Sequence, residues 1–235
     1  QTGALAPHPA HDMAVQALSG FLSVNDAADG TPVVPGVAAS DMAAGLTALS
    51  AVLIALLARD RTGEGDYVDI AMMDSLLPWC VHTAGSAIAG GPAPVSASQR
   101  SLGGAAFYQV YATADGRHVV LGGREMKFAV NLLTALGRPE LVAQAELPAG
   151  EQGELIAFLA DTFSRRTRAE WVEWFDSLDV AFAPVLDFRE ALDTPHVAER
   201  GLIVEANGAH YVAPAIRFAG SAPWQPAEPP ALEKP

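Results

Sequence analysis

The chain has 235 residues, half of them hydrophobic, with one cysteine and 27 acidic against 14 basic side chains, a formal net charge of −13. So large an apolar fraction builds a core and excludes a disordered chain. The acidic balance, with two lysines among the basic residues, argues against nucleic-acid binding over a broad face and leaves room for a single Arg-lined pocket.

The length fits one large domain or two small ones. A lone cysteine excludes an internal disulfide framework and any CxxC metal or redox motif. Cys80 lies in an apolar stretch and reads as an inert thiol rather than a nucleophile. The chain begins with Gln1, and residues 1–10 lack the basic start and apolar run of a signal peptide. That start fits a processed product or a fragment, and a reduced thiol without a leader makes the cytoplasm the default location.

In chain order, Met13 to Leu22 has a helical pattern directly after His11-Asp12. Met42 to Ala58 is an apolar run of seventeen residues broken only by Gly45, Thr47 and Ser50. Seventeen is the lower limit for a membrane span. Ser40-Asp41 as a capped, charged start, Arg59-Asp60-Arg61 at the end and Gly63 as a stop predict instead the buried core helix of a soluble protein. Thr62 to Asp66 reads as a turn, Tyr67 to Met72 as a strand and Met73 to Ile88 as another apolar helix. Gly90 to Gly104, rich in Gly, Pro, Ser and Ala, reads as a linker or mobile loop and sets a boundary there.

Beyond it, Phe107 to Ala112 and His118 to Gly122 read as strands around the Asp115-Gly116 hairpin signal. Helical patterns follow at 125–136, 153–164 and 168–178, with Thr167 and Glu170 spaced for a capping box. Val180 to Val185 reads as a strand and Phe188 to Leu192 as a helical turn. Short strand-like pieces follow Gly201, and a Pro-rich tail starts at Pro223. There is no internal repeat. The mixture predicts an α/β or α+β architecture in two lobes.

No histidine pair has HExxH spacing, no metal-binding cluster is visible, and GxSxG, P-loop and GxGxxG patterns are absent. Three residues at helix starts are candidates for acid–base chemistry. His11 meets the positive end of a helix dipole, which disfavours imidazolium and keeps the ring ready to accept a proton; otherwise Asp12 caps the helix and His11 faces water. Asp41 is either a capping carboxylate or, if buried beside substrate, a proton donor. Glu125 follows Gly122-Gly123, a pair that lets the backbone turn tightly and approach a ligand; it is otherwise an ordinary first-turn acidic residue.

Taken together, several stretches resemble the family III CoA transferases (CaiB/BaiF) and their α-methylacyl-CoA racemase branch. They are His11-Asp-Met-Ala-Val-Gln-Ala-Leu-Ser-Gly, the Asp41 helix ending Arg59-Asp-Arg-Thr-Gly-Glu-Gly, Val68-Asp-Ile-Ala-Met-Met-Asp, Gly103-Gly-Ala-Ala-Phe-Tyr, Thr113-Ala-Asp-Gly-Arg, Glu125-Met-Lys-Phe, Pro195-His and Arg200-Gly-Leu-Ile-Val-Glu. The likeness runs from His11 to about Gly220. It implies the two-lobed family fold with its N-terminal nucleotide-binding part missing. Residues 1–105 would belong to the large domain with a linker, 106–200 would form a small α+β domain, and 201–235 would return to the large domain.

Within that resemblance, Asp41 matches the aspartate that transferases acylate and racemases use as acid or base. The His11-Asp12 pair, Glu125 as a partner for His11, and the Gly103-Gly104 segment are similar to the racemases. Met13 to Gly20 leans towards the transferases, and Ala10, Met13 and Ala14 differ from the racemase residues. The resemblance implies inversion of a 2-methylacyl-CoA by two-base α-proton exchange through an enolate. His11 and Asp41 would alternate as acid and base, Glu125 would orient His11, and backbone N–H groups at the helix starts would hold the enolate oxygen. The alternatives are a CoA transferase with Asp41 as nucleophile and a non-catalytic remnant serving assembly or acyl binding. The implied partners are an acyl-CoA thioester as substrate, a second copy in an interlocked homodimer and the N-terminal domain. No cofactor or metal, nucleic acid or membrane is expected.

Overall fold

The structure, a computed structural model, describes residues 2–27 and 29–227; the last residues of the Pro-rich tail and of the 201–235 segment lie outside them. It mixes helices and strands, as expected. Helix α1 spans Asp12–Leu18 and α2 spans Ala39–Thr62, ending at Gly63, which donates its N–H to the Arg59 carbonyl and turns the chain out of the helix with a positive φ of 77°. The expected helix over 73–88 is divided into α3 (Met72–Leu76), a 3₁₀ turn (Leu77–Cys80) and α4 (Val81–Ile88). Pro78 is the cause, because its ring cannot donate to the preceding turn and clashes with it. Cys80 is half-buried, and burial pushes its thiol pKa up.

Two expectations fail in this stretch. Residues 67–71 form no strand: alternation marks which faces a strand would have, but a strand exists only through a ladder. The 90–104 segment is built rather than loose. It makes 3₁₀ turns at Ser96–Ser98 and Arg100–Leu102, and the buried Ser96 Oγ lies 2.5 and 2.6 Å from the two carboxylate oxygens of Asp26.

Strands β1 (Tyr108–Ala112) and β2 (His118–Gly122) pair antiparallel with Ala112 opposite His118 and Tyr108 opposite Gly122. Thr113 to Arg117 makes the turn, closed by Thr113 N–H on the Arg117 carbonyl and by Thr113 Oγ1 donating to Asp115 Oδ1 at 2.6 Å. Strand β3 (Phe182–Pro184) lies on the other side of β2. Helices α5 (Met126–Ala135), α6 (Gly153–Phe163) and α7 (Arg168–Phe175) cover this sheet, and α7 starts in the expected capping box of Thr167 and Glu170.

Between these elements lies the core: Val119, Leu121, Leu132, Leu133, Leu155, Leu159 and Phe163 are each 0–1% exposed. Each such side chain contributes about 1.5–3 kcal/mol relative to exposure. Phe163 stacks on Tyr111 and meets Trp171 edge-on, both with ring centroids 5.0 Å away. The Tyr111 hydroxyl donates to the Ala106 carbonyl at 2.7 Å, and burial pushes its pKa well up. Every residue of this cluster lies between Ala106 and Phe175.

Contacts divide the chain between Ala183 and Pro184, inside the segment expected to be the small domain. The second unit contains α8 (Phe188–Leu192), opened by a capping box of Asp187 and Glu190, and α9 (Pro195–Glu199), capped by Thr194. Strands β4 (Ile203–Ala206) and β5 (Ala209–Val212) form its hairpin. Asn207 and Gly208 make the connection with φ of 51° and 72°, the paired left-handed conformation of a type I′ turn. No described side chain from Pro184 onward is buried.

Helix α2 is where expectation and structure differ most. It forms over the expected residues but is not a core helix: Met42, Leu46, Leu49, Val52, Leu53, Ile54 and Leu57 are all at least half exposed. Among the described residues, only Ser40 and Ala43 of α2 are buried. By length and composition α2 is long and apolar enough to cross a membrane. The apolar pattern specified a helix that needs covering, and among the described residues its apolar side chains remain exposed.

Candidate active site

His11 is the N-cap of α1, with extended backbone (φ −120°, ψ 173°) and an exposed side chain. Its carbonyl accepts the N–H groups of Ala14 and Val15 at 3.0 and 3.1 Å, the ordinary opening of a helix. Asp41 is exposed in the first turn of α2. Neither α1 nor α2 is capped by its own N-cap side chain, so the expected capping by Ser40-Asp41 is not what starts α2.

Asp12 caps α2 instead. Its Oδ1 accepts from Ser40 N–H at 2.8 Å, Ser40 Oγ at 2.7 Å and Asp41 N–H at 3.3 Å, and its Oδ2 accepts from Gln16 Nε2 at 2.5 Å. The Ser40 hydroxyl also lies 3.2 Å from the Asp12 carbonyl oxygen. A carboxylate is favoured at this positive helix end. Burial works against ionisation of Asp12, but the hydrogen bonds from Ser40, Asp41 and Gln16 outweigh it and hold the carboxyl below its usual pKa. The residue next to His11 is thereby bonded to the backbone of Asp41, which brings the starts of the two helices together. Sequence spacing alone gives no sign of this link, because its partners are 28 and 29 residues apart.

The link has a chemical consequence. The Ser40 and Asp41 N–H groups are occupied by Asp12, which leaves the start of α2 less able to hold an anion. At the start of α1, the N–H groups of Asp12 and Met13 have no acceptor among the described residues. They remain free to meet a negative oxygen.

Glu125 stands elsewhere. It is the exposed N-cap of α5, and its Oε2 accepts the Arg124 N–H at 2.9 Å. Among the described residues no hydrogen bond or ion pair joins it to His11. With Arg100, Phe107, Arg124 and Gln152 it lines a cavity of about 10 Å³, room for about one water and far too small for an acyl chain. Gly123 serves packing rather than ligand approach: a Cβ there would lie 2.3 Å from the Phe128 ring and 2.6 Å from Ala181 Cβ. Among the described residues no group of three His, Cys, Asp or Glu side chains is placed to hold a metal ion.

Comparison with known proteins adds what geometry cannot. Acetyl-CoA:oxalate CoA-transferase from Acetobacter aceti is 30% identical over 94% of this chain and 58% of its own length. Human α-methylacyl-CoA racemase is 32% identical over 87% of this chain and 54% of its own length. A solved CaiB/BaiF family protein from Brucella suis, 23% identical, shares the fold with a TM-score of 0.76 over 94% of this chain and 59% of that chain. The chain thus spans about half the length of the curated relatives it matches. Its relatives include transferases and racemases at similar identity, and neither activity is singled out. The family model described as CoA-transferase family III matches residues 1–234, and the chain belongs to that family.

Proposed function

We propose that the protein is an acyl-CoA racemase that inverts the α-carbon of a 2-methylacyl thioester by exchanging its α-proton. The observation that carries this reading is the junction of α1 and α2, where Asp12 joins the residue beside His11 to the backbone of Asp41. Inversion needs one acid–base group on each side of a planar enolate. In one direction, one of the pair takes the α-proton, the C–H electron pair moves into the enolate, and the other group returns a proton to the opposite face. In the reverse direction the roles exchange. The free N–H groups of Asp12 and Met13 suit the enolate oxygen, whose charge grows as the proton leaves.

In this reading Glu125 reaches His11 only if the segment before residue 105 and α5 approach each other in the assembled protein. The exposed face of α2 supports such an assembly, with a second copy and the remaining length found in the relatives as its cover. A second reading, favoured by Met13 to Gly20 and by the transferase relatives, gives Asp41 the role of nucleophile. Its carboxylate would attack the thioester carbonyl, release CoA and form an anhydride. CoA thiolate would then attack that anhydride at the Asp41 carbonyl, releasing the free acid and leaving an enzyme–CoA thioester.

Incubation of the protein with a single-epimer 2-methylacyl-CoA in D₂O separates the two. Deuterium at the α-carbon together with epimerisation supports the racemase. CoA transfer to a free acid, with an Asp41 hydroxamate after hydroxylamine, opposes it. Activity only after extension of the chain at its N-terminal side would assign part of the site to that extension.

A further inference from the structure

We propose that Asp12 is a positioning residue: its side chain fixes Asp41 against His11, and Gln16 completes the same clamp. This rests on the two-base reading above. The clamp is saturated in one sense. Both Asp12 oxygens act only as acceptors, and every group that meets them is a donor: the Ser40 N–H and hydroxyl, the Asp41 N–H and the Gln16 amide. Ser40 is 0% and Gln16 1% exposed, so the bonds to Ser40 and Gln16 are partly sheltered from water, while the longer one to Asp41 is exposed. His11 and Asp12 share a peptide bond and their Cα atoms are about 3.8 Å apart. Sliding or rotating α1 against α2, which would spoil the placement of His11 and Asp41, must therefore break several of these bonds.

Gln16 makes the proposal specific. Its Nε2 faces Asp12, and its Oε1 is buried with no hydrogen-bond partner among the described residues. An acceptor-only carboxylate imposes this orientation of the amide. An asparagine at position 12 would keep Oδ1 on Ser40 and present its own NH₂ to Gln16. Gln16 can then turn over and accept with the oxygen that has no partner in the parent. Asp12→Asn thus preserves the clamp's shape without its charge, whereas Asp12→Ala removes both.

The test compares the parent protein, D12A and D12N in α-deuterium exchange and in amide hydrogen exchange of residues 39–43 without substrate. We expect D12A to lower kcat at least tenfold with KM changed less than threefold, and to speed exchange of the Ser40 and Asp41 amides about tenfold. Amides of β1, β2 and α5 should be unchanged, and D12N should return kcat and amide protection to within threefold of the parent. D12A with kcat within twofold of the parent, or D12N as impaired as D12A, overturns the proposal. Should the parent exchange no α-proton, the two-base reading fails on its own. The clamp is then judged by the amides: opened by D12A and restored by D12N, it stands; unchanged by D12A, it falls.

Discussion

Asp12 has a carboxyl whose pKa is lower in the folded chain than in an unfolded one, so its contribution to stability has a defined pH window. The sign is fixed by that direction. A depressed folded pKa stabilises the fold above the ordinary carboxylate range, and the contribution is lost as pH falls through the folded value. Urea unfolding of the parent and D12A between pH 7 and pH 3 should therefore show a gap that narrows in acid, the parent losing the part of its advantage that depends on the charge of Asp12. A gap independent of pH would contradict the ionised clamp. Gly123 offers a second test at this scale. The 2.3 Å approach of its missing Cβ to Phe128 means that Gly123→Ala must displace a buried ring, at a cost of about 1–3 kcal/mol in a thermal melt. The sequence placed both positions at turns or helix starts, but it could not show that their constraints come from distant residues. His11 and Asp41 stood out as helix-start residues; the carboxylate that links them was read only as a local cap.

Among the elements, the well-read ones are those whose signal is local. The Thr167–Glu170 capping box, the Asp115-Gly116 hairpin and the Gly63 stop each lie within a few residues of what they determine. Asn207-Gly208 carried a hairpin signal of the same kind that the strand-like reading beyond Gly201 left unused. Elements that depend on a distant partner were misread. Residues 67–71 alternate without a sheet, and α2 is apolar without being covered. If the exposed α2 face is held by no other part of this chain, Ile54→Glu with Leu57→Glu should shift Tm by no more than about 1–2 °C. If a second copy covers that face, the same change should abolish the resulting dimer in size-exclusion chromatography with light scattering. A fall of Tm several times larger would mean that the face is packed within the chain. Thr167→Ala, by contrast, should cost about 1 kcal/mol, because it removes a hydroxyl that accepts the Glu170 N–H.

At the scale of the whole molecule, the hydrophobic core and the proposed acid–base pair occupy different stretches. The buried side chains of the main hydrophobic cluster run from Ala106 to Phe175, whereas His11 and Asp41 lie in a stretch whose buried apolar side chains before Ala105 are Val15, Ala43 and Leu76. Native-state hydrogen exchange should accordingly find slow amides in β1, β2, α5 and α6, and faster ones through α1, α3 and α4. Composition predicted a core correctly but not where it would lie, since nothing in an average records which half of a chain holds the aromatic cluster. The central claim is that His11 and Asp41 act on opposite faces of one carbon. It is tested most directly by following both 2-methylacyl-CoA epimers in D₂O with H11Q and D41N. The account predicts that each variant stops epimerisation and retains deuterium wash-in from one epimer only, with opposite epimers for the two variants. Full turnover by H11Q, with an acyl or CoA adduct trapped on Asp41 of the parent, would contradict it.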